Sequence, residues 1–323
     1  MSIARADLPL AVGPHTIRIF RVMSKSVLTL IAPAGKEKLA KPLVNAVAAA
    51  IAKEGALLIM EEWLAEGIAC DLVFARIEPE IAEALAREAL GNAPIDCIAQ
   101  STINRQKRML ITDMDSTVIT VECIDEIADF AGVKDKVAHI TERAMRGEID
   151  FPAALAERVL LLKGLPESTL QQVYDERVKF MPGARELVAT MRAHGAYTVL
   201  VSGGFDFFTS RVRDALGFHA DSSNRFEVEN GKLTGRVIPP ILDKTAKLDT
   251  LMQTTAARGL SLGDVLGAGD GANDVPMLLA SGLGVAYHAK PVVQASVRAR
   301  INHCDLTALL YAQGYKQEEI ETL

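Results

Sequence analysis

From Ser26 onward the apolar positions follow two different spacings, and the change between them divides the chain. "SVLTLIA" (26–32) is a run of apolar and β-branched residues of strand length. Residues 35–55 carry Ala, Leu and Val at helical spacing and stop at Gly55, which predicts a helix. "ALLIMEEWL" and "GIACDLVFARI" predict two strands around a turn at Glu66-Gly67. "EPEIAEALAREALG" predicts a second helix, with Pro79 in its first turn and Gly91 past its end. "PIDCIAQS" predicts a last strand. The order β-α-β-β-α-β over residues 26–103 describes a ferredoxin-like α+β domain.

A polar, basic joint, "NRQKRM", follows from Asn104 and marks a domain boundary. Beyond it strands alternate with helices. "MLITD" is a strand, and a long helical stretch runs from about Cys123 to Lys179. "PGARELVATMRAHG" is a helix, "YTVLVSGG" a strand into a glycine turn, and "FDFFTSRVRDALG" a helix. "NRFEVENGKLTGRVI" is a hairpin turning at Asn230-Gly231. A helix (243–259), a strand ("DVLGAGDG"), a helix (272–282), a short strand ("LGVAY") and a helix ("KPVVQASV") complete the pattern. This alternation predicts an α/β fold with a doubly wound parallel sheet, whose ligands sit beyond the carboxyl ends of the strands. The expected division is an arm at 1–25, a ferredoxin-like domain at 26–103, and a core at 104–323. A helical cap, about 118–181, is inserted after the first core strand.

Composition narrows the class. The 323 residues are 49% hydrophobic and 24% charged, as in a globular protein. The net charge of −6 argues against a nucleic-acid partner. No apolar run is long enough for a membrane span, and Asp7, Pro9 and Pro14 break the start of the chain, so no signal peptide is read there. Cys70, Cys97, Cys123 and Cys304 form no C-x-x-C pair. A disulfide framework or zinc site is not expected, and a cytoplasmic location is.

The candidate chemistry lies at the strand ends. Asp113 and Asp115 follow the first core strand; like charges there raise each other's proton affinity, and Mg²⁺ would offset the repulsion. Asp270, in Gly269-Asp270-Gly271-Ala272-Asn273-Asp274, would be a further ligand. The glycines of this segment formally fit a dinucleotide fingerprint, but no acid occurs from Val275 through Cys304, and Asp270 would face the pyrophosphate. In a phosphoryl-transfer reading Asp113 attacks phosphorus, and Asp115 is the general acid and base. Ser202 and the backbone of Gly203-Gly204 hold the phosphoryl oxygens, and a lysine neutralises the remaining charge.

In this order, Asp-Met-Asp-Ser-Thr (113–117), Ser202-Gly203-Gly204, Lys247 and the 269–274 segment resemble the four motifs of the haloacid dehalogenase superfamily, over roughly Met109 to Cys304. Lys244 stands three residues from Lys247, and it is the resemblance that selects Lys247. "ECIDEIADFAG", "ITERAMRGEIDFPAALAERVLLLKGLP", "VSGGFD" and "GDGANDVPML" are similar to the phosphoserine phosphatase family, which acts at the last step of serine biosynthesis. The resemblance implies O-phosphoserine as substrate, with Glu122 on its ammonium, Arg158 on its carboxylate, and Met145 and Phe151 closing the cap. It also implies Ser202 and Gly203 on the phosphate. Mg²⁺ would lie on Asp113, Asp270 and the backbone carbonyl of Asp115, with Asn273 and Asp274 in support. Phosphoryl transfer to another hydroxyl, such as that of homoserine, and a catalytically idle serine sensor are the alternatives. The N-terminal unit is similar in element order to ACT modules. That implies an amino-acid effector, while the fold equally allows a packing unit or a homodimer contact.

Overall fold

The computed structural model describes residues 24–35, 38–146, 148–243 and 245–322, apart from the Met145 side chain. The predicted arm lies outside these residues except for its last two positions.

The N-terminal unit comprises β1 (Ser26–Ile31), α1 (Lys41–Lys53), β2 (Leu57–Ala65), β3 (Ala69–Ala75), α2 (Pro79–Leu90) and β4 (Asp96–Ser101). Its antiparallel sheet has the order β2-β3-β1-β4, which is the ferredoxin-like arrangement. The first helix begins at Lys41, later than its periodicity suggests, because Pro42 is tolerated only in the first turn. Leu28, Leu30, Cys70, Leu72 and Phe74 pack with α1 and α2 on one face, while Ile31, Ala69 and Ile98 join the core of the rest of the chain on the other. That double coverage explains why β1 and β3 are buried at every position.

The remaining elements are β5 (Met109–Thr112), α3 (Cys123–Phe130), α4 (Lys134–Met145), α5 (Phe151–Leu160), α6 (Ser168–Arg177), α7 (Ala184–Ala193), β6 (Tyr197–Phe205), α8 (Asp206–Leu216), β7 (Ala220–Asn224), β8 (Phe226–Glu229), β9 (Lys232–Val237), α9 (Ala246–Ala257), β10 (Val265–Gly269), α10 (Val275–Ala280), β11 (Leu283–Tyr287), α11 (Pro291–Ser296), β12 (Ala299–Ile301) and α12 (Ala308–Ala312). Strands β12-β11-β10-β5-β6-β7 form a parallel sheet. Its central strands, MLIT and VLGAG, are buried throughout, as parallel strands covered on both faces must be. The chain runs from β5 to β6 on one side and returns to β10 on the other, so the topological switch point lies at β5.

The expected long helical stretch is four helices, α3 to α6, broken at Gly132 and Gly164 and started afresh at Phe151, where Asp150 is the N-cap. The hairpin β8-β9 turns at Asn230-Gly231, both with positive φ, as a type I′ turn needs. It holds the cap from beneath, since the backbone of Leu233 bonds with Gly164 and Leu165.

Polar groups cross between the two units. Asp96 accepts from the backbone N–H groups of Asn302, His303 and Cys304 at 2.9–3.0 Å. Arg105 grips Asp71 through two nitrogens at 2.6 and 2.8 Å and donates to Thr29 and to the Ala312 carbonyl. Arg298 reaches Glu83 at 2.5 Å and the Ala99 carbonyl at 2.9 Å. The four cysteines are free and buried. Among the described residues no helix is long and apolar enough to cross a membrane.

Candidate active site

Three adjacent strands bring the candidate groups to one edge. In the parallel register Thr112 stands beside Ala268 on β10 and Leu200 on β6. The residues just past these positions, Asp113, Asp270 and Ser202, therefore emerge at nearly the same level on neighbours about 4.8 Å apart. Carboxylate oxygens of Asp113, Asp270 and Asp274 lie within 4.8 Å of one another, and all three residues are buried. Asp274 tucks under the end of β10, where its Oδ2 accepts from the Gly271 N–H at 2.9 Å. A β-carbon at Gly269 would stand 2.5 Å from the Asp274 carboxyl carbon, so only glycine permits this approach.

Among the described residues Lys247 is the one ammonium paired with these carboxylates, 2.7 Å from Asp113 Oδ1 and 2.5 Å from Asp274 Oδ1. Burial alone would lower its proton affinity, but Asp113 and Asp274 more than offset that, and its pKa rises. Burial, followed by the charge of Asp274, pushes the Asp113 carboxyl well above its usual range, against the pull of Lys247. Asp270 is raised to about 6, by burial first and then by Asp274 and Glu122. Three carboxylates facing one ammonium are short of positive charge. Buried hard oxygen donors, with Asp113 and Asp270 raised in this way, are the donor set that fits a divalent cation such as Mg²⁺.

Asp115 lies beside this cluster. Its Oδ1 accepts from the Cys123 N–H at 3.3 Å and its Oδ2 from the Ser202 hydroxyl at 3.4 Å. Burial and the charge of Glu122 push its carboxyl up to about 7. Ser202 is buried and accepts from the Gly204 N–H at 2.8 Å. Phe151, Ser202, Gly203, Leu242, Asp243, Lys247 and Asn273 line one pocket.

The cap closes that pocket from above. Asp150 caps α5 by accepting from the Ala153 N–H at 2.8 Å, which fixes Phe151 as the first helical residue. The Phe151 ring lies over Gly203, where an added β-carbon would be 3.4 Å from its tip. Arg158, two turns along α5, falls on the same side of the helix as Phe151. Burial lowers its pKa, and Asp125 and Glu122 oppose that. Glu122 precedes α3 without capping it; its Oε1 accepts from the Ser116 hydroxyl at 2.7 Å. Met145 ends α4, and its side chain, like the whole of Lys244, lies outside the described residues.

Two further residues belong to this arrangement and were not singled out in the sequence. Thr117 is fully buried and donates to Asp270 Oδ1 at 3.1 Å, linking the ends of β5 and β10. Ser116 holds a left-handed backbone, φ 56°, as it reaches Glu122. Both stand inside the Asp-x-Asp-Ser-Thr segment, so their nearness to the carboxylates was the available signal.

The chain belongs to the haloacid dehalogenase-like hydrolase family, whose pattern residues 110–279 match. Similar proteins narrow the class. The phosphoserine phosphatase of Archaeoglobus fulgidus is 44% identical over 234 residues, spanning 71% of this chain and 67% of that protein. A probable phosphoserine phosphatase from Vibrio cholerae superposes with a TM-score of 0.74 at 30% identity, over 91% of this chain and 88% of that one. A HAD family hydrolase from Salmonella enterica serovar Typhi gives 0.78 at 28% identity, over 89% of this chain and 98% of that one. The last two cover the N-terminal unit as well as the core.

Proposed function

We propose that the chain hydrolyses O-phosphoserine to serine and phosphate through a phospho-Asp113 intermediate. A carboxylate oxygen of Asp113 attacks phosphorus, and the serine oxygen leaves with the proton of Asp115. Asp115 then takes a proton from water, whose oxygen attacks phosphorus and restores the Asp113 carboxylate. A carboxyl raised to about 7 suits both proton transfers near neutrality. Ser202 and the turn after it hold the phosphoryl oxygens, and Lys247 balances charge between Asp113 and Asp274. Asp113, Asp270 and the Asp115 carbonyl would hold Mg²⁺, supported by Asp274 and Asn273; when bound, the ion supplies the positive charge that the cluster and the phosphate need.

The observation that carries this reading is the meeting of Asp113, Asp270, Asp274 and Lys247 at the ends of neighbouring strands. The substrate's amino-acid end is supported by the pair above them. Glu122 offers a carboxylate for an ammonium, and Arg158 a planar guanidinium for a carboxylate. Phosphate release from O-phosphoserine, with Mg²⁺ and with EDTA, tests the proposal. Release that needs the metal and exceeds that from other phosphorylated amino acids is expected; no release with Mg²⁺ present would overturn it.

A further inference from the structure

Strand β6 does not run straight past its neighbour. Val201 pairs with Ser222 and Phe205 with Asn224, so Ser202, Gly203 and Gly204 stand opposite Ser223 alone. The phosphate turn is therefore a bulge of two extra residues, and its backbone loses the sheet partners a regular strand would have. A single side chain takes their place. Asn224 is 1% exposed, and its Nδ2 donates to the Gly203 carbonyl at 2.9 Å. The same amide turns to the opposite wall of the pocket. Its Oδ1 accepts from the Leu242 N–H at 2.7 Å, and Nδ2 also approaches the Leu242 carbonyl at 3.4 Å. Leu242, Gly203 and Lys247 line the same pocket.

We propose that Asn224 is a positioning residue for the phosphate end of this pocket. The argument rests on the planarity of the peptide. Fixing the Gly203 carbonyl fixes the Gly203–Gly204 peptide plane, and with it the direction of the Gly204 N–H on the other side. A glycine pair has no side chain to hold that plane; within the turn the Ser202 hydroxyl accepts from the Gly204 N–H at 2.8 Å, and Asn224 anchors the carbonyl end of the same peptide from outside. The bond to Leu242 sets how far the turn stands from the segment that leads into α9 and Lys247. Asn224 touches neither the reacting atoms nor the cap residues Glu122 and Arg158, so its effect falls on phosphate binding and not on the choice of amino acid.

The test compares the full-length chain with Asn224→Ala and Asn224→Asp, well below the unfolding temperature of each. Asp keeps the acceptor for Leu242 but loses the donor to Gly203 and sets oxygen against oxygen. The readouts are kcat/KM for O-phosphoserine, kcat/KM for p-nitrophenyl phosphate, and inhibition by inorganic phosphate. Both variants are expected to lose about tenfold or more in kcat/KM on both esters alike, with phosphate inhibition weakened by a similar factor. A merely structural role would lower the unfolding temperature and leave the inhibition constant of the folded protein unchanged. Wild-type phosphate inhibition in a folded Asn224→Asp chain, or a loss confined to O-phosphoserine, overturns the proposal. Failure of both variants to fold also overturns it, since the role would then be global. The proposal rests on the phosphatase reading, and the two fail separately: an inactive wild-type chain removes that reading, whereas an active one with indifferent variants removes only this proposal.

Discussion

The Lys247 ammonium lies 2.7 Å from a carboxylate oxygen of Asp113, and both groups are buried. Its only other carboxylate partner among the described residues is Asp274. Lys247→Met would leave two buried carboxylates without their cation. A loss of about 3 kcal/mol in unfolding free energy is expected, together with near-complete loss of turnover. Urea titration in EDTA measures the first, and a variant as stable as the parent would contradict the pairing.

Asp113→Asn acts in the opposite sense on stability. It removes one of three mutually repelling buried carboxylates. Turnover should fall by about 10⁴-fold or more, the scale of losing a nucleophile. Without divalent ions the unfolding temperature should hold or rise, and the stabilisation that Mg²⁺ gives the parent should shrink. Calorimetry with EDTA and with Mg²⁺ reads both effects.

Arg158→Ala and Glu122→Gln should separate the two ends of the substrate. KM for O-phosphoserine is expected to rise about tenfold or more, the worth of a charge-assisted contact, with little change for p-nitrophenyl phosphate. Equal changes on both esters would remove these residues from amino-acid recognition.

Asp96 ties the N-terminal sheet to the backbone of residues 302–304. Asp96→Ala strands three N–H donors at a buried seam. A loss of about 3 kcal/mol in stability is expected, with catalytic constants of the folded enzyme near those of the parent. Denaturation followed by both fluorescence and activity would show it, and unchanged stability would mean that the contact is superfluous.

His219 predicts a pH effect. Its Nδ1 accepts from the Thr198 N–H at 3.1 Å, which requires a neutral ring. Burial, then Arg192 and Arg258, lowers its pKa below the usual 6.5. A lowered folded-state value means that the unfolded chain takes up the proton first as pH falls. The contribution to stability is therefore complete above about 6.5 and is lost as pH drops through the folded-state value. His219→Asn should flatten the decline in unfolding temperature between pH 7 and pH 5; an unchanged slope would assign the decline to other groups.

The parts legible in the sequence were those written in contiguous residues. Central strands such as MLIT and VLGAG announce themselves because both faces are buried, and Asp113, Ser202 and Asp270 stand directly after such runs. Strand β7, ADSSN, was not legible: it is a polar edge strand with one apolar residue, and only its pairing with β6 makes it a strand. Strand β12 is three residues long and too short for a period to show. Lys247 could not be picked out by spacing, because what marks it is its contact with Asp113 and Asp274 across the fold. Asn224 sits at the mouth of a hairpin, where asparagine ordinarily reads as turn chemistry. Its bonds to Gly203 and Leu242 span about twenty residues in either direction and leave no local trace.

The aromatic ring of Phe151 comes down on the Ser202-Gly203-Gly204 turn at a residue whose α-carbon bears no side chain. The door can shut flush because its threshold is bare. One methyl group at position 203 would stand 3.4 Å from the ring, in ordinary contact, and would fill the space between sill and door, leaving less room for whatever the turn must hold.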